Sequence, residues 1–194
     1  MESRTVEIFT TPIYRAGLNI NTNLLRDYCF DYQNNKETRN RSNKGGWQSD
    51  NLPSDEGIIA YLKHTISAHL NIYSKKLEIR PLKVVEMWIN INNYKDYNTK
   101  HMHPRSIVSG VFYVKAPTNP GNLTLVNPSA DLMDSCLNPE TDLKNKNTTN
   151  SAQAVIEPRE NLLVMFPSWI NHMVDPNMNE TEKRISISFN STTI

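Results

Sequence analysis

From Leu82 onward the spacing of apolar residues changes from about four to two, and that switch constrains the fold more than any other feature of the chain. In Val85-Glu86-Met87-Trp88-Ile89-Asn90-Ile91-Asn92, one face of an extended chain carries Val85, Met87, Ile89 and Ile91, and the other carries Glu86, Trp88, Asn90 and Asn92. Such a strand covers a core with one face and presents polar groups and a large aromatic on the other. Further short strands are expected at 106–115, 122–126, 154–156, 161–166, 172–174 and 183–190, with Pro, Gly and Asn marking the turns between them.

The first part of the chain reads differently. Residues 6–13 alternate weakly and predict a short edge strand. Asn21 is a candidate N-cap, followed by Leu24, Leu25, Tyr28 and Tyr32 at helical spacing. Residues 33–53 are polar, contain Gly45-Gly46 and predict a loop. Ser54 offers a second cap, with Asp55 and Glu56 in the first turn and a stripe of Ile58, Leu62, Ile66 and Leu70 behind it. Helices first and short strands afterwards predict an α+β fold, with the helices packed on one sheet of a β-sandwich or barrel. A chain of 194 residues is expected to form one domain, in which 1–80 supply a strand and supporting helices and 81–194 the β core. Residues 128–151 are rich in Asn and Asp, predict a long loop with no part in the core, and are one place to look for selectivity, with the segment around Trp47 the other.

Composition narrows the function. With 21 basic and 20 acidic side chains the formal charge is +1, so no nucleic-acid partner is expected. Cys29 and Cys136 form no CxxC pair, which argues against a zinc knuckle or a disulfide framework. No run of about eighteen apolar residues is present, so the protein is expected to be soluble, cytoplasmic and without a membrane partner. A homodimer is a candidate assembly.

The chemistry lies in the β-rich part. In an extended His101-Met102-His103 both imidazoles point to one side and could share a metal ion. His172 follows the apolar run 162–169, where a strand end could bring it beside the pair. Imidazole serves iron, zinc, copper and nickel, so the histidines alone do not choose the metal. In the last strand Arg184, Ser186 and Ser188 share a face, and an arginine and a serine two residues apart make a clamp for the remote carboxylate of a dicarboxylic ligand. The twelve residues between His172 and Arg184 suit a neighbouring strand. Asn90 and Asn92 share a strand face and could line the cavity or bond across strands. Trp88 and Trp169 could wall it or belong to the core, and His64 and His69 are expected to be structural.

The order His-x-His-Pro, Ser-Gly-x-x-Tyr-Val, Phe-Pro-Ser-Trp-x-x-His-x-Val-x-Pro and Arg-x-Ser-x-Ser-Phe-Asn resembles the 2-oxoglutarate and iron(II) oxygenases of marine bacteria and their phages, distantly related to prolyl 4-hydroxylases. Gly45-Gly46-Trp47-Gln48-Ser49 extends the likeness toward the N-terminus. The resemblance implies a double-stranded β-helix (jelly roll) and an iron(II) held by His101 and His172. It also implies 2-oxoglutarate chelated through its keto acid end, with Arg184 and Ser186 on its far carboxylate. Tyr113 matches a strand tyrosine that bonds the same carboxylate, the alternative being an ordinary core or sheet tyrosine, and Asn92 stands with these as a cosubstrate-binding candidate. The wider superfamily presents His-x-Asp or His-x-Glu; here His103 occupies the carboxylate's place and is expected to complete a three-histidine face, the alternative being that water fills the position. Asp175 is a remote substitute but is expected to be a turn residue. The implied reaction is a dioxygenase hydroxylation using O2, with ascorbate a candidate stimulant, on an unidentified and weakly peptidyl substrate. Rival expectations are a cupin-like zinc or nickel protein that uses no keto acid, and a jelly-roll interaction module whose histidines are incidental.

Overall fold

The computed structural model describes residues 3–53 and 57–194. Its order is β1 (Tyr14–Gly17), α1 (Thr22–Asn34), β2 (Asn43–Lys44), β3 (Trp47–Gln48), α2 (Gly57–Lys76), β4 (Leu82–Asn92), β5 (Tyr97–His101), β6 (Val108–Lys115), β7 (Leu123–Val126), α3 (Ala130–Cys136), β8 (Gln153–Ile156), β9 (Leu162–Pro167), β10 (His172–Val174) and β11 (Arg184–Thr193). The strands form a six-stranded sheet in the order β1-β9-β6-β11-β4-β3 and a five-stranded sheet in the order β2-β5-β10-β7-β8. From β4 to β7 successive strands alternate between the sheets. β8 pairs with β7, and alternation resumes from β9 to β11. That is the winding of a double-stranded β-helix, and every pairing in it is antiparallel.

The alternation in β4 and β11 separates two cores. Met87, Ile89 and Ile91 from β4, with Ile185, Ile187 and Phe189 from β11, bury their side chains in a cluster shared with Leu25, Leu62, Ile66 and Leu70 of the helices. The helices therefore cover the outer face of the large sheet, as the stripe on α2 requires. Each fully buried leucine or isoleucine of that stripe contributes about 1.5–3 kcal/mol of burial. A smaller cluster of Val111, Tyr113, Leu123, Leu125, Ile156, Val164, Phe166 and Ile170 fills part of the space between the sheets. Gly110 lies where β6 passes Phe189: a Cβ there would collide with the phenyl ring and sit 2.8 Å from the Val164 carbonyl oxygen.

Several expectations are corrected. Residues 6–13 form no strand; the edge strand is β1, and it pairs with β9 through Tyr14↔Met165 to Gly17↔Leu162. Asn21 does cap α1, its side chain accepting from the Leu24 amide at 3.1 Å, but Leu24 itself is 54% exposed and the packed face is Thr22, Leu25 and Cys29. Residues 33–53 contain β2 and β3, two-residue strands that lengthen one edge of each sheet. Residues 128–151 include the helix α3. Val85 is 42% exposed rather than buried, because a register shift opposite Asn190 and Ser191 moves the buried positions to Val84 and Leu82. The cap at Ser54 with Asp55 and Glu56 lies outside the described residues. Among the described residues no helix is long and apolar enough to cross a membrane.

Candidate functional site

The space between the sheets opens into a cavity of about 870 Å3. Its volume follows from the sequence: the inner faces of β4, β6 and β11 carry Asn90, Asn92, Ser109, Ser186 and Ser188, where a filled jelly roll would carry large apolar residues.

The small sheet supplies the histidines. His101 ends β5 and His172 begins β10, and the two are cross-strand partners, with ring centroids 4.2 Å apart. His103 lies just past β5, where its backbone N–H donates to the Ser168 carbonyl at 3.1 Å. Its ring centroid is 5.0 Å from those of both His101 and His172. One ring nitrogen from each of the three falls within 4.8 Å of the others. The tautomers of two are decided by their neighbours. His101 Nδ1 lies 2.7 Å from the Thr99 carbonyl oxygen and His172 Nδ1 lies 3.0 Å from that of Ile170. A carbonyl can only accept, so each Nδ1 carries the proton and each Nε2 presents its lone pair. Burial holds all three imidazoles below their ordinary pKa, His103 at about 4 and His172 at about 3, with His101 reinforcing both as a neighbouring charge. The cluster is therefore neutral and ready to ligate at neutral pH. Phe166 packs edge-on to His172 at 4.8 Å and Trp88 tilts over His103 at 5.7 Å.

The large sheet supplies the clamp candidates. Arg184 opens β11 opposite Asn92, while Ser186 is flanked by Asn90 of β4 and Tyr113 of β6. Arg184 therefore faces the histidines across the sandwich; the neighbouring-strand placement expected from its distance to His172 is incorrect, because β10 and β11 lie in different sheets. The side chain is 1% exposed. Its Nη1 donates to the carbonyls of Pro120, Gly121 at 3.4 Å and Asp175 at 3.0 Å. Gly121 has φ +77°, and a Cβ there would come within 2.8 Å of Nη1, so only glycine permits this nest. Among the described residues neither Nη2 nor Asn92 Oδ1 has a hydrogen-bond partner. Burial lowers the guanidinium's pKa, partly offset by Tyr113 and by the acids Asp175 and Asp96. A buried cation with one N–H-bearing nitrogen unanswered is costly unless an anion completes it. Tyr113 is also buried, which pushes its hydroxyl up to about 12, so it stays protonated and can donate.

Other candidates resolve individually. Asn90 lines the cavity and donates to Ser188 Oγ at 3.0 Å. Trp88 lines it too, whereas Trp169 is 54% exposed and does not. His69 accepts a structural role, its Nδ1 2.7 Å from the Tyr14 hydroxyl, and His64 is exposed on α2. Asp175 follows the end of β10 with no turn at its position, against expectation, and acts through its backbone: its amide donates to the Asn122 carbonyl at 2.9 Å, and it takes no place in the histidine cluster. Sequence reasoning missed Arg39 and Arg41, which line the cavity from the segment before β2, and Phe166, whose parity in β9 was the available signal.

A converging set of neutral imidazoles facing an unanswered buried arginine fits iron(II) and a dicarboxylic keto acid. The family model described as "Putative 2OG-Fe(II) oxygenase" matches residues 86–190, more than half of the chain. The chain belongs to this family. It is an enzyme of the 2-oxoglutarate and iron(II) oxygenase class, for which those two are cosubstrate and metal.

Among solved structures, the fold is similar to that of a prolyl 4-hydroxylase from Pseudomonas putida, at 14% identity and a TM-score of 0.66 over 95% of this chain and 94% of that one. It is similar to a viral collagen prolyl hydroxylase from Paramecium Bursaria Chlorella virus-1 in complex with 2-oxoglutarate, at 15% identity and a TM-score of 0.62 over 94% and 96% of the two chains. It is also similar to HygX from Streptomyces hygroscopicus, with nickel, 2-oxoglutarate and hygromycin B bound, at 12% identity and a TM-score of 0.61 over 95% and 84%. No curated protein matches the sequence.

Proposed function

We propose that this oxygenase hydroxylates a C–H bond of a substrate held in the wide cavity, coupled to conversion of 2-oxoglutarate to succinate and CO2, with a peptidyl, prolyl-type target the favoured class. The observation that carries the reading is the unpartnered Nη2 of Arg184, a buried cationic donor across the cavity from three neutral imidazoles. Full-length likeness in fold to two prolyl hydroxylases supports the target class.

In this reading His101, His103 and His172 hold the iron, the first and last through Nε2. When bound, iron(II) and 2-oxoglutarate would supply the electrons that activate O2, which is the oxidant, one of its oxygen atoms going to succinate as CO2 is lost and the other to the substrate C–H bond. The chain's own residues do the rest. Arg184 Nη2 and the protonated Tyr113 hydroxyl donate to the far carboxylate of the cosubstrate, and Ser186 adds a third donor between them. Asn92 Oδ1 is an acceptor and cannot receive a carboxylate; opposite Arg184, it is available to a guanidinium N–H and acts as a positioning group. Phe166 and Trp88 keep water from the imidazole faces and limit their rotation. With three neutral ligands, the near carboxylate of the cosubstrate is the negative charge brought to a divalent ion, the far carboxylate being answered by Arg184. Metal and cosubstrate should therefore bind cooperatively.

The direct assay is succinate formation from 2-oxoglutarate with Fe(II), O2 and ascorbate. Turnover by the wild type, and its loss with retained iron in Arg184→Lys, is expected. Folded protein that neither binds 2-oxoglutarate nor forms succinate defeats the proposal.

A further inference from the structure

We propose that Arg39 and Arg41 form a substrate-anion subsite, so that the substrate of this oxygenase carries a carboxylate or phosphate group bound at the cavity mouth while its reacting carbon faces the histidines. The inference rests on the oxygenase function proposed above and names the chemistry its substrate must have.

Both side chains line the same cavity as the histidines, from the segment joining α1 to β2, and both are exposed at its rim. Two residues apart, they project from a backbone that is fastened on both sides. The Arg39 amide donates to Gln48 O at 2.8 Å, the Gln48 amide donates to Thr38 Oγ1 at 3.0 Å, and the Arg41 amide donates to Asn43 Oδ1 at 2.8 Å. Neither guanidinium has a hydrogen bond, ion pair or ring contact among the described residues.

The acids of the cavity do not answer them. Asp50 accepts from the Tyr32 hydroxyl at 2.8 Å and Glu86 accepts from Asn190 Nδ2 at 3.1 Å. Two guanidiniums carried two residues apart on this anchored segment, with no acid engaged, offer planar N–H donors of the kind that a carboxylate or phosphate accepts. With a chain charge of only +1, this is a local feature and no general basic surface.

The segment is also tied to the metal face. Ser42 O accepts from the Thr99 amide at 2.9 Å and from Thr99 Oγ1 at 3.2 Å, and the Thr99 carbonyl in turn holds His101 Nδ1 at 2.7 Å. An anion drawn to Arg39 and Arg41 therefore docks on the same backbone that orients His101.

The test measures 2-oxoglutarate-dependent succinate formation by the iron-loaded enzyme with three matched probe sets. The first is proline-containing hexapeptides bearing glutamate, glutamine or lysine beside the proline. The second is the same peptides with phosphoserine, and the third is small carboxylic acids and phosphomonoesters with their neutral amides and alcohols. Stimulation by anionic probes at least tenfold above their neutral partners is expected. In Arg39→Gln/Arg41→Gln the KM for those probes should rise about tenfold or more per arginine, the worth of a hydrogen bond to a charged group. The double variant should keep the 2-oxoglutarate dissociation constant and the unfolding midpoint, and Arg39→Glu/Arg41→Glu should shift preference to the lysine peptides. The peptide and small-molecule arms tell which kind of molecule carries the anion. Equal stimulation by neutral probes, unchanged discrimination in the variants, or no response to any anionic probe overturns the subsite. Failure of the wild type to bind 2-oxoglutarate overturns the parent function instead.

Discussion

Replacing Arg184 with lysine preserves a buried positive charge but divides two tasks that the guanidinium performs together. Nη1 serves the carbonyls of Pro120, Gly121 and Asp175, while Nη2 is left for the cosubstrate. A lysine ammonium is a single nitrogen and can satisfy the carbonyl nest or reach a carboxylate, but it cannot do both. The carboxylate then loses one charge-assisted hydrogen bond, about 1.5–3 kcal/mol, which corresponds to an increase of roughly 10- to 150-fold in the 2-oxoglutarate dissociation constant. Arg184→Ala is less informative. It strips a donor from the carbonyls of Pro120, which is buried, and of Gly121 and Asp175, which are half-buried, so a loss of stability of about 1–3 kcal/mol or more would obscure the binding effect. Anaerobic calorimetric titration of 2-oxoglutarate into Fe(II)-loaded protein measures the effect, with iron stoichiometry as the control. Binding within twofold of wild type by a folded Arg184→Lys enzyme would refute the clamp.

Tyr113→Phe should weaken 2-oxoglutarate several-fold, about 1 kcal/mol for one neutral donor, without altering iron content; an unchanged affinity would make Tyr113 a sheet residue only. In metal-free protein, burial lowers the folded-state pKa of His103 to about 4 and of His172 to about 3, from 6.5. The unfolded chain thus binds more protons in that window, and the histidines' contribution to stability is complete above pH 6.5 and lost as pH falls through 4 and 3. Urea midpoints between neutral pH and pH 4 should fall more steeply in wild type than in His172→Gln, and equal slopes would contradict the assignment. Gly110→Ala should destabilise by about 1–3 kcal/mol in denaturant titrations, since the new methyl meets Phe189 and the Val164 carbonyl.

Alternation made the inner faces legible. The residues on one side of β4 and β11 could be read from the sequence because a side-chain period of two leaves no freedom once one face is apolar. His101 lies in β5, whereas His103 falls past the strand end, where its amide bonds the Ser168 carbonyl. What could not be read was set by distant pairing. The bulge that exposes Val85 arises opposite Asn190 and Ser191, about a hundred positions away. The separation of His172 from Arg184 suggested adjacency, but the connecting turn crosses between sheets, so the pair faces instead of flanking. β2 and β3 are too short to carry a pattern of their own and exist because β5 and β4 offer edges. Arg39 and Arg41 carried no signal, since an exposed arginine in a polar segment acquires meaning only when the fold turns it toward a cavity.

At the centre of the proposed function is a three-histidine metal site facing an arginine-held keto acid. It is tested most directly by an anaerobic crystal structure with Fe(II) and 2-oxoglutarate. One ion about 2.1 Å from a ring nitrogen of each of His101, His103 and His172 is predicted, with the far carboxylate of 2-oxoglutarate bonded to Arg184 Nη2. An ion bound without His103, or a cosubstrate whose carboxylate turns away from Arg184, would contradict it.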